Sequence, residues 1–201
     1  EVILLPPTYG MYGVLAQLNN IKAINVPLDD NFQLDIAAIM SSINENTKVI
    51  FVRSPNNPSG NAIPFEQIEI LLNRFKGLVV VDEAYIDFSE QRSALSLLET
   101  YPKLMICQTL SKAYGLAGIR LGIGFANPEI IDFFNKIKPP YNVNVLTQKM
   151  ALASLNALAL VERQVKTLIE ERQKMERELP AFGFVKKIYP SDANFLLIQV
   201  D

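Results

Sequence analysis

The chain has 201 residues, 49% hydrophobic and 20% charged, with 19 Lys plus Arg against 21 Asp plus Glu. This is the composition of a folded globular protein, and a formal net charge of −2 gives no electrostatic reason to expect nucleic acid or a membrane surface as a partner. There is no histidine and only one cysteine, Cys107, which excludes Ser-His-Asp and Cys-His sites in their usual form, His-ligated zinc or iron, an internal disulfide and a Cys-rich metal site.

Any base must therefore be Lys, Asp, Glu or Tyr, no metal is expected, and a lone cysteine fits a reducing compartment, the cytoplasm. The opening EVILLPPTYG lacks the basic stretch of a signal peptide, and no apolar run approaches the roughly 20 residues of a membrane span. The chain opens directly on a strand-like run and closes on another, FLLIQVD, which reads as a fragment of something longer.

Taken in chain order, short apolar runs predict strands over 2–5, 22–26, 48–52, 78–81, 104–107 and 119–125. Between them, helical periodicity predicts helices over 11–18, 35–43, 65–75 and 93–99. The run Leu78-Val79-Val80-Val81 has no polar interruption, the mark of a strand covered on both faces. Pro64 suits the first position of its helix. Asn127-Pro128-Glu129 starts another, with a capping amide, a proline and an acid at the positive end of the dipole, and Pro139-Pro140 stops it. A long helical stretch is predicted over 145–179, then strands over 182–188 and 194–200. Strand–helix alternation gives an α/β fold with right-handed crossovers, followed by the start of a smaller α+β unit.

In an open parallel sheet, ligands bind beyond the carboxyl ends of the strands. Three predicted ends carry unusual residues: Ser54-Pro55-Asn56-Asn57-Pro58-Ser59-Gly60, then Asp82-Glu83-Ala84-Tyr85, then Gln108-Thr109-Leu110-Ser111-Lys112-Ala113-Tyr114-Gly115, with Arg120 shortly after. Each has a plainer explanation alone. The first suits a turn, Asp82 a helix cap, Lys112 a solvated charge, Arg120 half of an ion pair, and Tyr9 and Tyr85 packing. Together they offer an amine, a carboxylate, a phenol, an amide, hydroxyls and a guanidinium in one crevice, with neither GxGxxG nor GxxxxGK[ST] present. Such a set suits a ligand bearing a phosphate, a ring nitrogen, a phenolic oxygen and an aldehyde, which describes pyridoxal 5′-phosphate (PLP).

At these residues the sequence resembles the fold-type I PLP-dependent aminotransferases. SPNNPSG, VVVDEAY and TLSKAYGLAGIRLG match that family in order and spacing. PPTYGMY near the start and PPYNVN over 139–144 are similar to its histidinol-phosphate aminotransferase branch. Phosphothreonine decarboxylases and aromatic aminotransferases share the same stretch.

The resemblance implies an α/β fold: a PLP-binding large domain over 1–150, a mostly parallel sheet flanked by helices. A connecting helix over 151–180 and the beginning of a small C-terminal domain over 181–201 would follow. It implies a transaminase of histidine biosynthesis, exchanging histidinol phosphate and 2-oxoglutarate for imidazole-acetol phosphate and glutamate, and a homodimer. The alternatives are the decarboxylase, the aromatic aminotransferase, or a non-catalytic PLP-sensing domain of a regulator.

By the same resemblance, Lys112 would hold the cofactor's aldehyde carbon and act as base, and Asp82 would pair with the ring nitrogen. Tyr85 and Asn57 would bond the phenolic oxygen, Tyr9 would stack on the ring, and Thr109, Ser111 and Arg120 would hold the phosphate. Asn142 and Asn144 are substrate-loop candidates, although a helix cap explains Asn144 as well; Asn194 matches a recurring position and is given no role. The family's N-terminal segment and its C-terminal substrate arginine have no counterpart in these residues, so the chain alone is expected to bind PLP poorly. Arg163, Arg172 and Arg177 read as solvated-face charges rather than that arginine.

Overall fold

A computed structural model describes residues 1–201. Six strands form one sheet in the order β2-β1-β3-β4-β5-β6: β1 (Val2–Leu4), β2 (Ala23–Asn25), β3 (Val49–Arg53), β4 (Leu78–Asp82), β5 (Leu104–Thr109) and β6 (Gly122–Ala126). Strands β1 to β5 are parallel, and β6 runs antiparallel to β5. The helices are α1 (Met11–Leu18), α2 (Ile36–Ser42), α3 (Phe65–Arg74), α4 (Pro128–Ile137), α5 (Val145–Leu155) and α6 (Leu158–Glu178). A two-stranded antiparallel pair, β7 (Val185–Ile188) and β8 (Ile198–Val200), ends the chain. No helix is long and apolar enough to cross a membrane.

Alternation along the strands builds the core. Ile3, Ile50, Val52, Val79, Val81, Leu104 and Ile106 point to one face and pack with Ile39 of α2, Ile68 and Leu71 of α3, and Phe75. Val2 and Leu4 turn to the other face and meet Ala16 of α1, with Tyr12 and Phe51 beside them. Val79, Val80 and Val81 are all buried, so β4 is covered on both faces as its unbroken apolar run predicts. Burying each such side chain contributes about 1.5–3 kcal/mol, so the central strands are the most firmly fixed part of the molecule. The loops at their carboxyl ends are held to that frame.

Several predicted elements shift, each for a local reason. Residues 93–99 do not make an α-helix but a short 3-10 turn, Ala94–Leu97. Its first turn is held by the buried carboxylate of Glu83, which accepts from Ser93 Oγ and the Ala94 amide, both at 2.6 Å. The last strand of the sheet starts at Gly122 rather than residue 119, because a 3-10 turn at Ala117–Ile119 and a left-handed Arg120 (φ 56°) reverse the chain first. Pro64 is the N-cap of α3 rather than its first helical residue. The stretch 145–179 breaks into α5 and α6 at Asn156-Ala157, where Ala157 leaves helical geometry (φ −112°, ψ 34°). Asn127 does cap α4, its side chain accepting from Glu129 N at 3.0 Å.

Candidate active site

Because β1, β3, β4 and β5 are adjacent and parallel, their carboxyl ends meet at one edge of the sheet. The PPTYG loop follows β1, SPNNPSG follows β3, Asp82 ends β4, and Thr109 ends β5 just before Ser111-Lys112. A cavity of about 320 Å³ opens there, lined by Tyr9, Asp82, Thr109, Ser111, Lys112 and Arg120, all singled out from the sequence, and also by Arg53, Ala84, Cys107, Gln108 and Ala117. A larger groove of about 580 Å³ runs along β7 beside Glu176 and Lys187 and shares no lining residue with this cavity.

Asp82 is the most constrained group in the cavity. Its Oδ1 accepts the Ala84 amide at 3.0 Å. Its Oδ2 accepts the Tyr12 hydroxyl and lies 3.5 Å from Arg53 Nη1. Two neutral donors and one cation hold the carboxylate at a fixed angle. Burial, and then the Asp82 charge, push the Tyr12 phenol well above its ordinary range, so Tyr12 acts as a donor only. Tyr12 is itself fixed by stacking on Phe51, with ring centroids 4.9 Å apart.

Lys112 is exposed, and its amine makes no hydrogen bond or ion pair; it lies 5.2 Å from the centre of the Tyr85 ring. An uncommitted primary amine in one cavity with a carboxylate suits covalent capture of an aldehyde. Tyr85 is buried and packs edge-on against Phe195. Its hydroxyl accepts from Asn57 Nδ2 at 3.2 Å, so the pair predicted to share one ligand oxygen already meets, although neither residue lines the cavity. The two asparagines of SPNNPSG divide their work. Asn56 is 1% exposed, donates to Pro7 O and Ser59 Oγ and accepts from Thr8, which ties the Tyr9 loop to this turn.

Thr109 and Ser111 form a tight hydroxyl turn, with Ser111 N donating to Thr109 Oγ1 at 3.1 Å and the two oxygens 2.9 Å apart. Arg120 donates one Nη1 hydrogen to Ala117 O at 2.8 Å, so most of its guanidinium donors are uncommitted. Two hydroxyls and an arginine lining one cavity can hold a phosphate-like anion. The buried carboxylate of Glu83 accepts from Gln108 Nε2 at 2.9 Å and so anchors the β5 side of the cavity.

Other candidates lie elsewhere. Asn144 caps α5, accepting from Thr147 N at 2.9 Å; Asn142 is exposed, and neither lines the cavity. Asn194 is also exposed. Arg172 is not the solvated charge expected: its side chain is 11% exposed, donates to Ala193 O and pairs with Glu176 at 3.7 Å. Being partly buried in α6, it pins the Ser191–Phe195 loop instead of standing in water.

Two residues of the site escaped the sequence reading. Tyr12 follows Tyr9 by three positions in PPTYGMY, a spacing that places both on one side of a helix start, so a signal was present. Arg53 ends the apolar run VIFVR. Only the β3–β4 register, which pairs it with Asp82, shows where it belongs.

Comparison with known proteins agrees with this geometry. Residues 1–200 match the family described as aminotransferase class I and II. The histidinol-phosphate aminotransferases of Flavobacterium psychrophilum and Flavobacterium johnsoniae are 55% and 52% identical over 201 residues, covering 100% of this chain and 58% of theirs. The chain thus spans a little over half the length of these curated relatives. The crystal structure of the histidinol-phosphate aminotransferase from Clostridium acetobutylicum superimposes with a TM-score of 0.92 at 27% identity, covering 100% of this chain and 61% of that one. A mostly parallel sheet, a lysine and an aspartate at its strand ends, and a family match along all but the last residue have one joint consequence: the chain belongs to the class I and II aminotransferases.

Proposed function

We propose that this chain is the cofactor-binding part of a PLP-dependent transaminase that exchanges an amino group between histidinol phosphate and 2-oxoglutarate. The observation that carries the reading is the cavity at the strand ends, which the free amine of Lys112, the fixed carboxylate of Asp82 and the anion set of Thr109, Ser111 and Arg120 line together. The donor chemistry fits the cofactor part by part: an amine for the aldehyde, a carboxylate for the ring nitrogen, hydroxyls and a guanidinium for the phosphate, and the Tyr9 ring for the flat face. When bound, PLP supplies an electron sink for the charge that develops at the substrate's α-carbon.

The residues of this chain do the rest. Lys112 would hold the cofactor's aldehyde carbon, and its amine would move the proton at the substrate's α-carbon; a lysine fills the role that a histidine-free chain cannot give to imidazole. Asp82, held by Ala84 and Tyr12, would keep the ring nitrogen protonated, and the Asn57–Tyr85 pair would donate to the phenolic oxygen. Arg120 and the two hydroxyls fix the phosphate, and with it the orientation of the ring. A phosphorylated amino substrate and a keto acid belong to the same reading, supported by the names of the relatives at 52–55% identity; a second subunit and a cytoplasmic location are proposed with it.

The test uses the full-length protein. PLP is added, the adduct is reduced with borohydride and the modified peptide is mapped; label is expected on Lys112, and label on another lysine overturns the assignment. Histidinol phosphate with 2-oxoglutarate should then yield glutamate. Release of carbon dioxide from a phosphorylated amino acid, without glutamate, would instead make the protein a decarboxylase.

A further inference from the structure

Arg53 is a charged side chain in the cavity that the proposed chemistry leaves without a task. Its side chain is 5% exposed, and Nη1 lies 3.5 Å from Asp82 Oδ2. Both Nε and Nη1 lack a hydrogen-bond partner. The guanidinium carbon lies 4.6 Å from the centre of the Tyr9 ring and 5.3 Å from that of Tyr85. A planar cation is therefore lodged between two aromatic faces beside a carboxylate, an arrangement that attracts it to both rings. The placement follows from the fold: Arg53 and Asp82 are direct partners in the β3–β4 ladder, so their side chains leave the sheet on the same face. Burying a guanidinium with unmade donors is costly, and the pairing with Asp82 is what offsets it.

A planar, cationic N–H group that stacks on Tyr9 and faces Asp82 has the same chemistry that the reading above asks of the protonated pyridine ring. We propose that Arg53 is a positioning residue that competes with the cofactor's ring nitrogen for the Asp82 carboxylate and so sets how tightly the cofactor binds. The inference rests on the PLP reading. Asp82 already receives the Ala84 amide and the Tyr12 hydroxyl. A ring nitrogen brought to the same carboxylate would then add a second positive charge next to Arg53, and like charges this close repel. Without the ring, Arg53 is the counter-ion of Asp82. Both effects act in one direction: removing Arg53 favours the loaded protein.

The experiment titrates PLP into the cofactor-stripped full-length protein and follows absorbance, for wild type, Arg53→Met, Arg53→Gln and Arg53→Lys. Both neutral variants are expected to bind PLP about tenfold tighter. The pH at which the bound cofactor's visible absorbance titrates should move upward in them, because a positive charge has been removed. Arg53→Lys keeps the charge and should stay near wild type in both readouts. A residue with only a packing role would weaken binding when changed. Unchanged or weaker binding in both neutral variants overturns the proposal, even with Lys112 labelled in the wild type. A wild type that binds no PLP overturns the reading beneath it as well.

Discussion

Tyr12 donates its hydroxyl hydrogen to Asp82 Oδ2 across seventy residues of sequence, joining helix α1 to the end of β4. Because burial and the Asp82 charge hold the phenol protonated far above neutrality, this donor persists at any pH at which the protein is folded, and no limb of a pH–rate profile should belong to it. Tyr12→Phe removes the donor and leaves the Phe51 stack. In the full-length protein, PLP affinity and transaminase rate are expected to fall about tenfold, the scale of a hydrogen bond to a charged group. Unchanged affinity, measured by PLP titration, would mean that Ala84 alone orients the carboxylate.

Removing Asp82 should cost stability as well as chemistry. Arg53 is buried beside it with two donors unmade, so Asp82→Ala strands a charge. Loss of one member of a buried pair costs about 3 kcal/mol or more; with Asp82 18% exposed, about 2–3 kcal/mol is expected from urea unfolding. The double change Asp82→Ala with Arg53→Met should recover part of that loss, and a double variant no more stable than Asp82→Ala would show that the two side chains do not compensate each other.

How far the sequence revealed this arrangement depended on whether a feature was local. Asp82 stood out because it ends an unbroken apolar run, and Asn57 and Lys112 because they lie in polar loops just beyond such runs. The capped helix at Asn127 was readable from its Asn-Pro-Glu start. The Arg53–Asp82 and Tyr12–Asp82 contacts were not, because strand register and a seventy-residue separation carry no local signature. The antiparallel course of β6 was hidden by a reversal at Arg120, a residue type with no preference for left-handed backbone. The helix expected at 93–99 yielded to a carboxylate, Glu83, that arrives from another strand end.

That carboxylate makes its own prediction. Glu83 is 2% exposed and accepts from Ser93 Oγ, the Ala94 amide and Gln108 Nε2. Glu83→Ala leaves one buried and two half-buried donors unmade and should destabilise the fold by about 3 kcal/mol. A change below about 1 kcal/mol in denaturant unfolding would mean that water replaces the carboxylate there.

Gly60 joins the SPNNPSG turn to the C-terminal segment. It has φ +84°, and a Cβ placed on it would lie 2.6 Å from Ser191 Oγ and 2.9 Å from Ser191 Cβ. Asp192 docks on the same turn, its amide donating to Gly60 O and its carboxylate accepting the Ala62 amide, both at 2.8 Å. Gly60→Ala is therefore expected to cost about 1–3 kcal/mol and to raise amide exchange at Ala62 and Asp192 together. Exchange that rises at neither position would show that the loop accommodates the methyl group.

Cys107 should be a poor nucleophile despite lining the cavity. Burial, and secondarily the Asp82 carboxylate, raise its thiol from 9.0 to about 11. At pH 8 the thiolate fraction falls to about 0.1%, against about 10% for the unshifted thiol, so iodoacetamide should react about a hundredfold more slowly with the folded protein than with the urea-unfolded chain. The linkage has the matching sign. The folded protein holds this proton more tightly, so the contribution to stability is full below about pH 9 and is lost as pH rises through about 11. Alkylation at pH 8 as fast in the folded protein as in urea would show that the thiol is neither shielded nor shifted.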